Sequence, residues 1–334
     1  MIHNIVDEML SSLGAPLSVH FPSHIWVELI ADCNIYCQMC RNTPTELHGR
    51  IDFALFRSLV DQVSPGVLNY SIFNWGETLL LKPREVEKYL DYLCLHKRKN
   101  ARIYLFTNGT LLDNDRCSIL MNHGVEIDVS VDGCSQNTFE KIRRGANFKS
   151  VISNIKNAIE LHERKFPNAP QIGIHSTIQR DNIDELVGIA KMAHKLGLSR
   201  IGFGLVIEPS KFRIEFTEEN VRKVEEAVNY SMDVGLFVTE KPMRIGEYYW
   251  QSQHYTRTPI EKFNTVCNAP NFLAAVNEVG EVSACCSWPG TLGDLKKESF
   301  RDIWHGNRFE NLRSVVNTPR APKACLKCTM ANRI

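Results

Sequence analysis

From residue 24 onward, short apolar runs alternate with longer stretches in which apolar residues recur every three or four positions. The short runs are HIWVELI (24–30), VLNYSIFN (67–74), ARIYLF (101–106), EIDVSV (126–131), QIGIHSTI (171–178) and RIGFGLVI (200–207). Their length and β-branched content predict strands. Between them, FALFRSLVDQV (53–63), PREVEKYLDYLCLHK (83–97) and SVISNIKNAIELHERK (150–165) carry the one-sided apolar stripe of helices. After Asp181 the residues Ile183, Leu186, Val187 and Ala190 share a stripe, with Gly197 placed to cap the helix end. A further helix is expected from Thr217, with Val221, Val224 and Val228 on its apolar face. Strand followed by helix, repeated six times, predicts a parallel sheet that right-handed crossovers curl in one sense. Six units are too few for a closed eight-stranded barrel, and chemistry is expected at the C-terminal ends of the strands.

The periodicity stops between about Leu236 and Phe263, where KPMRIGEYYWQSQHYTRTPIEKF (241–263) is aromatic and polar. A loop of this length either serves the site, with Tyr248, Tyr249 or Trp250 lining a substrate cavity, or is a packed surface linker. The expected organisation is an N-terminal extension (1–23), an α/β barrel core (24–235), a bridging segment (236–262) and a small C-terminal module (263–334).

Composition narrows the class. An apolar share of 43% and a charged share of 23% over 334 residues are those of a globular protein. A formal charge of +1, without a basic tract, gives no electrostatic support for nucleic acid or an anionic membrane as partner. No apolar run approaches the roughly 20 residues that span a bilayer, and the start, MIHNIVDEMLSSLGAPLS, lacks the basic end and apolar core of a signal peptide. The 11 cysteines are clustered, which in a long chain without a signal reads as metal ligation in a reducing cytoplasm rather than as disulfides.

The first cluster follows the first strand: Cys33, Cys37 and Cys40, spaced C-x3-C-x2-C. Three thiolates on one loop ligate three irons of a [4Fe–4S] cube and leave the fourth open, whereas zinc requires four ligands. Other motifs fall just after strands: Asn74-Trp75-Gly76-Glu77 after the second, Thr107-Asn108-Gly109 after the third, and VSVDG followed by FEKIRRG around the fourth. The second cluster lies near the end, with Cys267, Gly280 and Cys285 as C-x12-G-x4-C, then Cys325 and Cys328 as C-x2-C. Four thiolates complete either a second cube or a structural zinc site.

Taken together these motifs resemble the radical S-adenosylmethionine (SAM) superfamily, and GDLKKESFRDIWHGNRFENLR (293–313) between the later cysteines resembles its SPASM/twitch extension. The resemblance implies an α/β fold, a partial (β/α)6 TIM-type barrel with a small C-terminal iron–sulfur, twitch-like module. It implies SAM on the open iron of the first [4Fe–4S] cluster and a second, auxiliary [4Fe–4S] cluster on Cys267, Cys285, Cys325 and Cys328. Met39 stands where the family usually has an aromatic residue beside the adenine. Gly76 and Glu77 stand in the Gly-Gly-Glu motif near the SAM ammonium, and Asn108 in the TNG turn. By the same resemblance Ser130 and Arg143 contact the SAM carboxylate or ribose, or Asp132 instead orients that loop, and each can equally be a turn or capping residue.

The activity implied is reductive cleavage of SAM to a 5′-deoxyadenosyl radical that takes a hydrogen atom from the substrate. The leading expectation is two-electron oxidation of a small hydroxylated molecule, of sugar or aminocyclitol type, with the auxiliary cluster as electron acceptor and a flavodoxin or ferredoxin as donor. The alternatives are a radical epimerase with Cys286 as hydrogen donor, a peptide maturase, and a non-catalytic iron–sulfur or zinc scaffold. Cys94, Cys117 and Cys134 read as packing residues, and His194 as a core histidine on the apolar stripe. His175 lies at a strand end, and Glu247, Asp302 and His254 are unranked candidates for a general base.

Overall fold

The computed structural model describes residues 21–40, 49–206, 210–215, 217–240, 244–245, 248–251, 256–259, 267–286 and 290–326. Its central element is a ten-stranded sheet. Six strands run through it in sequence order: β1 (His24–Val27), β2 (Asn69–Ser71), β3 (Arg102–Thr107), β4 (Val125–Ser130), β5 (Gly173–Ile178) and β6 (Arg200–Leu205). Each pairs in parallel with the next. The helices between them include α1 (Phe53–Val63), α2 (Pro83–His96), α3 (Asn114–Asn122), α4 (Gln136–Ile142), α5 (Phe148–Lys165), α6 (Leu186–Lys195) and α7 (Glu218–Asp233). Most start at a side-chain cap: Asp52, Asp113, Ser135, Asn147 and the expected Thr217 each accept from a backbone N–H of the first turn. Gly197 takes a left-handed φ of 77° just past α6, the conformation for which glycine is suited.

The sheet continues past both ends of this set. The stretch from 236, expected to be aperiodic, opens with β7 (Phe237–Glu240), a seventh parallel strand on β6. Its residues are only exposed or half-buried, so no apolar run announced it. Further on, Arg244–Ile245, Tyr248–Gln251 and Thr256–Pro259 form a separate three-stranded antiparallel sheet.

At the other edge, the C-terminal hairpin of β8 (Leu273–Val276) and β9 (Glu281–Ser283) turns at Gly280, where φ is 91°. Strand β8 lies parallel to β1 in the register His24↔Leu273 to Val27↔Val276, and β10 (Gly293–Asp294) closes the edge. The C-terminal module is thus an extension of the barrel sheet. It is seated by Phe300, Ile303, Trp304 and Phe309, all buried, and Phe300 N donates to Gln62 Oε1 of α1 at 2.8 Å. The Arg313 guanidinium lies 4.4 Å from the Trp304 ring and donates to the carbonyls of Pro270 and Trp304.

Strand alternation divides the barrel. Ile25 and Val27 join the apolar layer between sheet and helices, while His24, Trp26 and Glu28 take the opposite face. Toward the N-terminal ends of the strands that face is polar and paired. Arg200 bridges Asp128 at 2.8 Å and Glu126 at 3.6 Å, and His24 Nε2 bonds Ser71 Oγ at 2.8 Å. Burial pushes the His24 imidazole down to about 4, so it is neutral there.

Glu28 fixes the loop that follows β2. Its Oε1 accepts from Trp75 N at 2.8 Å and Gly76 N at 2.9 Å. Gly76 is required at this crossing, because a Cβ there would lie 1.9 Å from the Ile30 carbonyl oxygen. Burial pushes the Glu28 carboxyl up to about 7, with Glu278 adding to the rise and the two N–H donors opposing it. Its ordinary value is 4.5, so between these pH values the folded state holds a proton that the unfolded state releases. Stability is therefore lost as pH rises through this window. Relative to Glu28→Gln, which keeps the acceptor oxygen, the wild type should lose about 3 kcal/mol from pH ~4.5 to ~7.5, read as the difference between their unfolding curves. Trp304→Ala, which empties the seat of the C-terminal module, should cost about 3–5 kcal/mol in the same assay.

Candidate functional site

The segment Cys33–Cys40 crosses the C-terminal ends of the strands and is tied to its surroundings on several sides. Its Tyr36–Cys37 pair forms a short antiparallel ladder with Arg143–Arg144, and Gln38 N donates to Ile142 O at 2.9 Å. Asn34 donates to Thr110 Oγ1 at 2.8 Å and accepts from Asn108 Nδ2 at 2.9 Å. The Gln38 amide donates to Asp181 Oδ2 at 2.6 Å and to Gln179 Oε1 at 3.0 Å. These bonds come from the loops after β3, β4 and β5, which is why a parallel sheet is needed to build the site.

All three cysteines open on one cavity of about 290 Å³. Met39, Gly76, Glu77, Asn108, Ser130 and Arg143 line the same space. Met39 is buried and packs with Ile142, Val206 and Phe212. Asn108 Nδ2 stands 3.8 Å from Cys33 Sγ, and its Oδ1 accepts from Thr110 N and Oγ1. Glu77 is buried, and its oxygens accept from Thr107 Oγ1 at 2.8 Å, Leu79 N at 3.0 Å and Asn108 N at 2.8 Å. Its carboxylate thereby joins the loop after β2 to the loop after β3. Burial raises its pKa against those donors.

Arg143 is buried beside the cysteines. Its Nη1 lies 3.7 Å from Cys37 Sγ, and its Nε lies 2.8 Å from Asp132 Oδ2. Asp132 Oδ1 in turn accepts from Thr177 N at 2.7 Å. Burial pushes the Cys37 thiol up to about 12 despite the pull of this guanidinium, and raises Cys33 as well. Thiolates at these positions therefore call for a bound metal centre, whose charge favours deprotonation.

The wall opposite is aromatic. Trp26 meets Phe73 at 5.2 Å between ring centroids, Phe73 stacks on Phe106 at 4.6 Å, and Phe106 stacks on the His175 ring at 5.0 Å. Within the described protein, the buried Trp26 Nε1 and Asn74 Oδ1 have no hydrogen-bond partner, and both residues line the cavity.

Of the C-terminal cysteines, Cys267 is clamped by Asn317, which accepts from its N–H at 2.7 Å and donates to its carbonyl at 3.2 Å. Cys285 follows β9, with its carbonyl accepting from Ser283 Oγ. Its neighbour Cys286 reaches the wall of the main cavity. Cys325 lies in the short helix Lys323–Leu326, and Cys328 lies outside the described residues. Cys94 and Cys134 are half-buried and Cys117 is buried, and burial raises all three thiols.

Other sequence candidates fall elsewhere. His194 is exposed in the last turn of α6 rather than in the core, on a side of the helix that the apolar stripe does not reach. Asp302 is engaged with Ser299 at a helix start. Glu247, His254 and the side chains of Tyr248, Tyr249 and Trp250 lie outside the described residues. Trp26, Glu28 and Glu240 were not singled out by motif, although a glutamate inside the apolar run HIWVELI was a visible signal.

A family model for the radical SAM superfamily matches residues 27–193, half of the chain. A second, SPASM, described as an iron–sulfur cluster-binding domain, matches residues 267–329. Over 92% of its length the chain is 22% identical to 87% of the tungsten-containing aldehyde ferredoxin oxidoreductase cofactor-modifying protein of Pyrococcus furiosus. Over 87% it is 24% identical to 85% of the AdoMet-dependent heme synthase of Methanosarcina barkeri. In fold it is similar to Streptococcus suis SuiB, solved with precursor peptide SuiA, at a TM-score of 0.69 and 14% identity over 94% of this chain and 71% of that one.

These matches imply a SAM-binding [4Fe–4S] cluster, SAM itself and auxiliary iron–sulfur ligation. The residues around Cys33, Cys37 and Cys40 fit the first two. Three thiols from one loop open on a single cavity, with the Arg143 guanidinium beside Cys37 and Met39, Gly76 and Asn108 around them. Among the described residues no three His, Cys, Asp or Glu side chains converge as ligands of a single metal ion, whereas a cube takes each thiolate on a separate iron. Among those residues, too, no helix is long and apolar enough to cross a membrane. The chain therefore belongs to the radical SAM superfamily and carries a C-terminal SPASM cluster-binding domain.

Proposed function

We propose that this enzyme oxidises a small hydroxylated substrate, of sugar or aminocyclitol type, by two electrons. The observation that carries the reading is Cys286 in the cavity wall, one residue from Cys285 of the second cysteine set. In this reading the electron acceptor held by Cys267, Cys285, Cys325 and Cys328 lies close to the substrate space, which the place of Cys286 supports. When bound, the clusters and SAM supply an electron, a hydrogen-abstracting 5′-deoxyadenosyl radical and a sink for the second substrate electron.

The chain's own residues hold and orient. Cys33, Cys37 and Cys40 bind the first cluster. Met39, Gly76, Asn108, Ser130 and Arg143 border SAM, with Glu77 keeping their loops in register. The aromatic wall from Trp26 to Phe106 takes the ring face of the substrate, while Ser130, Thr177, His175 and Glu240 offer hydrogen bonds around it, the mix of apolar area and few polar groups common to small-molecule sites. A flavodoxin or ferredoxin in a reducing cytoplasm is the electron donor that this chemistry calls for.

Radical epimerisation is the second reading, and the same Cys286 supports it, since a thiol in the cavity wall can return a hydrogen atom to the opposite face. Two measurements decide. Anaerobic reconstitution should give about eight irons per chain, and about four in the Cys33/Cys37/Cys40→Ala triple variant. About four in the wild type and none in the variant would remove the auxiliary electron acceptor. Turnover in deuterated water should then give a carbonyl product without solvent deuterium at carbon. A product that gains deuterium, and is lost in Cys286→Ala, would establish the epimerase instead.

A further inference from the structure

The cavity contains a histidine–carboxylate pair that no motif assigns. His175 on β5 and Glu240 on β7 belong to strands that are not neighbours, because β6 runs between them. Yet His175 Nε2 and Glu240 Oε2 stand 3.2 Å apart. They meet because β6 presents glycine at the two positions beneath them. A Cβ on Gly202 would lie 2.7 Å from His175 Cδ2 and 2.9 Å from Thr239 Oγ1. A Cβ on Gly204 would lie 2.7 Å from Glu240 Oε1 and 3.1 Å from both His175 Cε1 and Nε2. Any other residue at Gly204 would occupy the gap that the pair closes. A register shift in the β6–β7 ladder sets Glu240 opposite Gly202, completing the alignment. The imidazole is buried and its ring is stacked on Phe106, which fixes its plane, and both members of the pair border the cavity that the three cysteines share.

A carboxylate only accepts, so in the tautomer that pairs with it Nε2 donates to Glu240 and the lone pair is left on Nδ1. This is the arrangement of a base whose tautomer a carboxylate sets. We propose that His175, oriented by Glu240, is the group that takes the hydroxyl proton of the substrate during oxidation, an inference that rests on the dehydrogenase reading above. The step balances as follows. The 5′-deoxyadenosyl radical takes the carbon-bound hydrogen atom and becomes 5′-deoxyadenosine. The O–H bond then breaks with its proton passing to His175, the remaining electron passes to an oxidised auxiliary [4Fe–4S] cluster, and the C–O bond becomes C=O. Glu240 is a positioning residue, and Gly202 and Gly204 keep its path to His175 open.

The test uses the reconstituted holoenzyme with SAM, dithionite and carbon-deuterated glucose, glucosamine and myo-inositol as probes. Deuterium in 5′-deoxyadenosine reports hydrogen abstraction, and the ratio of carbonyl product to 5′-deoxyadenosine reports completion. His175→Gln should still move deuterium into the nucleoside while the ratio falls tenfold or more, a split that a general loss of folding would not produce. Glu240→Gln should lower the ratio by a smaller factor. Gly204→Ala, which leaves both side chains present but forces them apart, should resemble Glu240→Gln. Should His175→Gln fail to hold its irons, the other two variants decide the matter by the same ratio. An unchanged ratio in variants that retain their irons would overturn the proposal, as would loss of deuterium transfer itself in iron-replete His175→Gln. If the wild type moves no deuterium from any of the three polyols, the alcohol reading falls and this role of the pair falls with it.

Discussion

The site depends on holding one short segment still. A loop that must offer three thiols outward satisfies little of its own backbone beyond the Cys40 N–H donating to the Cys37 carbonyl at 3.1 Å, so its other polar groups are met from elsewhere. Here the Cys33–Cys40 segment is met by an extended pair at Arg143–Arg144, by the Ile142 carbonyl, and by the Asn108 and Thr110 side chains. The Asp32 carbonyl accepts from Glu77 N at 2.8 Å, which ties the same segment to the loop after β2. The contributions come from the connections that follow β2, β3 and β4, and only a parallel sheet delivers so many strand ends to one side.

Apart from the Arg200–Asp128 pair between strands, several buried charges sit where they join loops. Glu28, Glu77 and Asp132 each spend their oxygens on backbone N–H groups of a neighbouring loop, and Arg143 lies between Asp132 and the cysteines. Burying a carboxylate costs several kcal/mol unless hydrogen bonds compensate, so such residues survive where they fix geometry that packing alone would leave loose. The rise in the Glu28 and Glu77 pKa values measures how incomplete that compensation is.

The sequence showed most clearly what is local. Helix α1 spans the residues that its apolar stripe marks, Thr217 caps α7, and Gly197 ends α6, because each of these follows from a few neighbouring side chains. The cysteine spacings were equally visible, as their chemistry is set within one loop. Pairing between distant segments was not. Nothing in FVTE announces an edge strand, and nothing in LAAV says that it will lie along HIWV rather than in a separate sheet. The His175–Glu240 contact was hidden for the same reason, since it requires β5, β6 and β7 to be adjacent and β6 to be bare at two places. Glu28 reads as an anomaly in an apolar strand until the loop it serves is folded over it.

The union of β8 with β1 has a mechanical meaning. Because His24 pairs with Leu273 and Val27 with Val276, the loop after β1 and the cysteines after β9 are related through a hydrogen-bonded ladder rather than through the long segment that joins them in sequence. A slip of one residue would move the hairpin by roughly 3.3 Å and turn its side chains to the other face. The position of Cys285, at the end of this hairpin, relative to the loop after β1 is thus quantised by strand register.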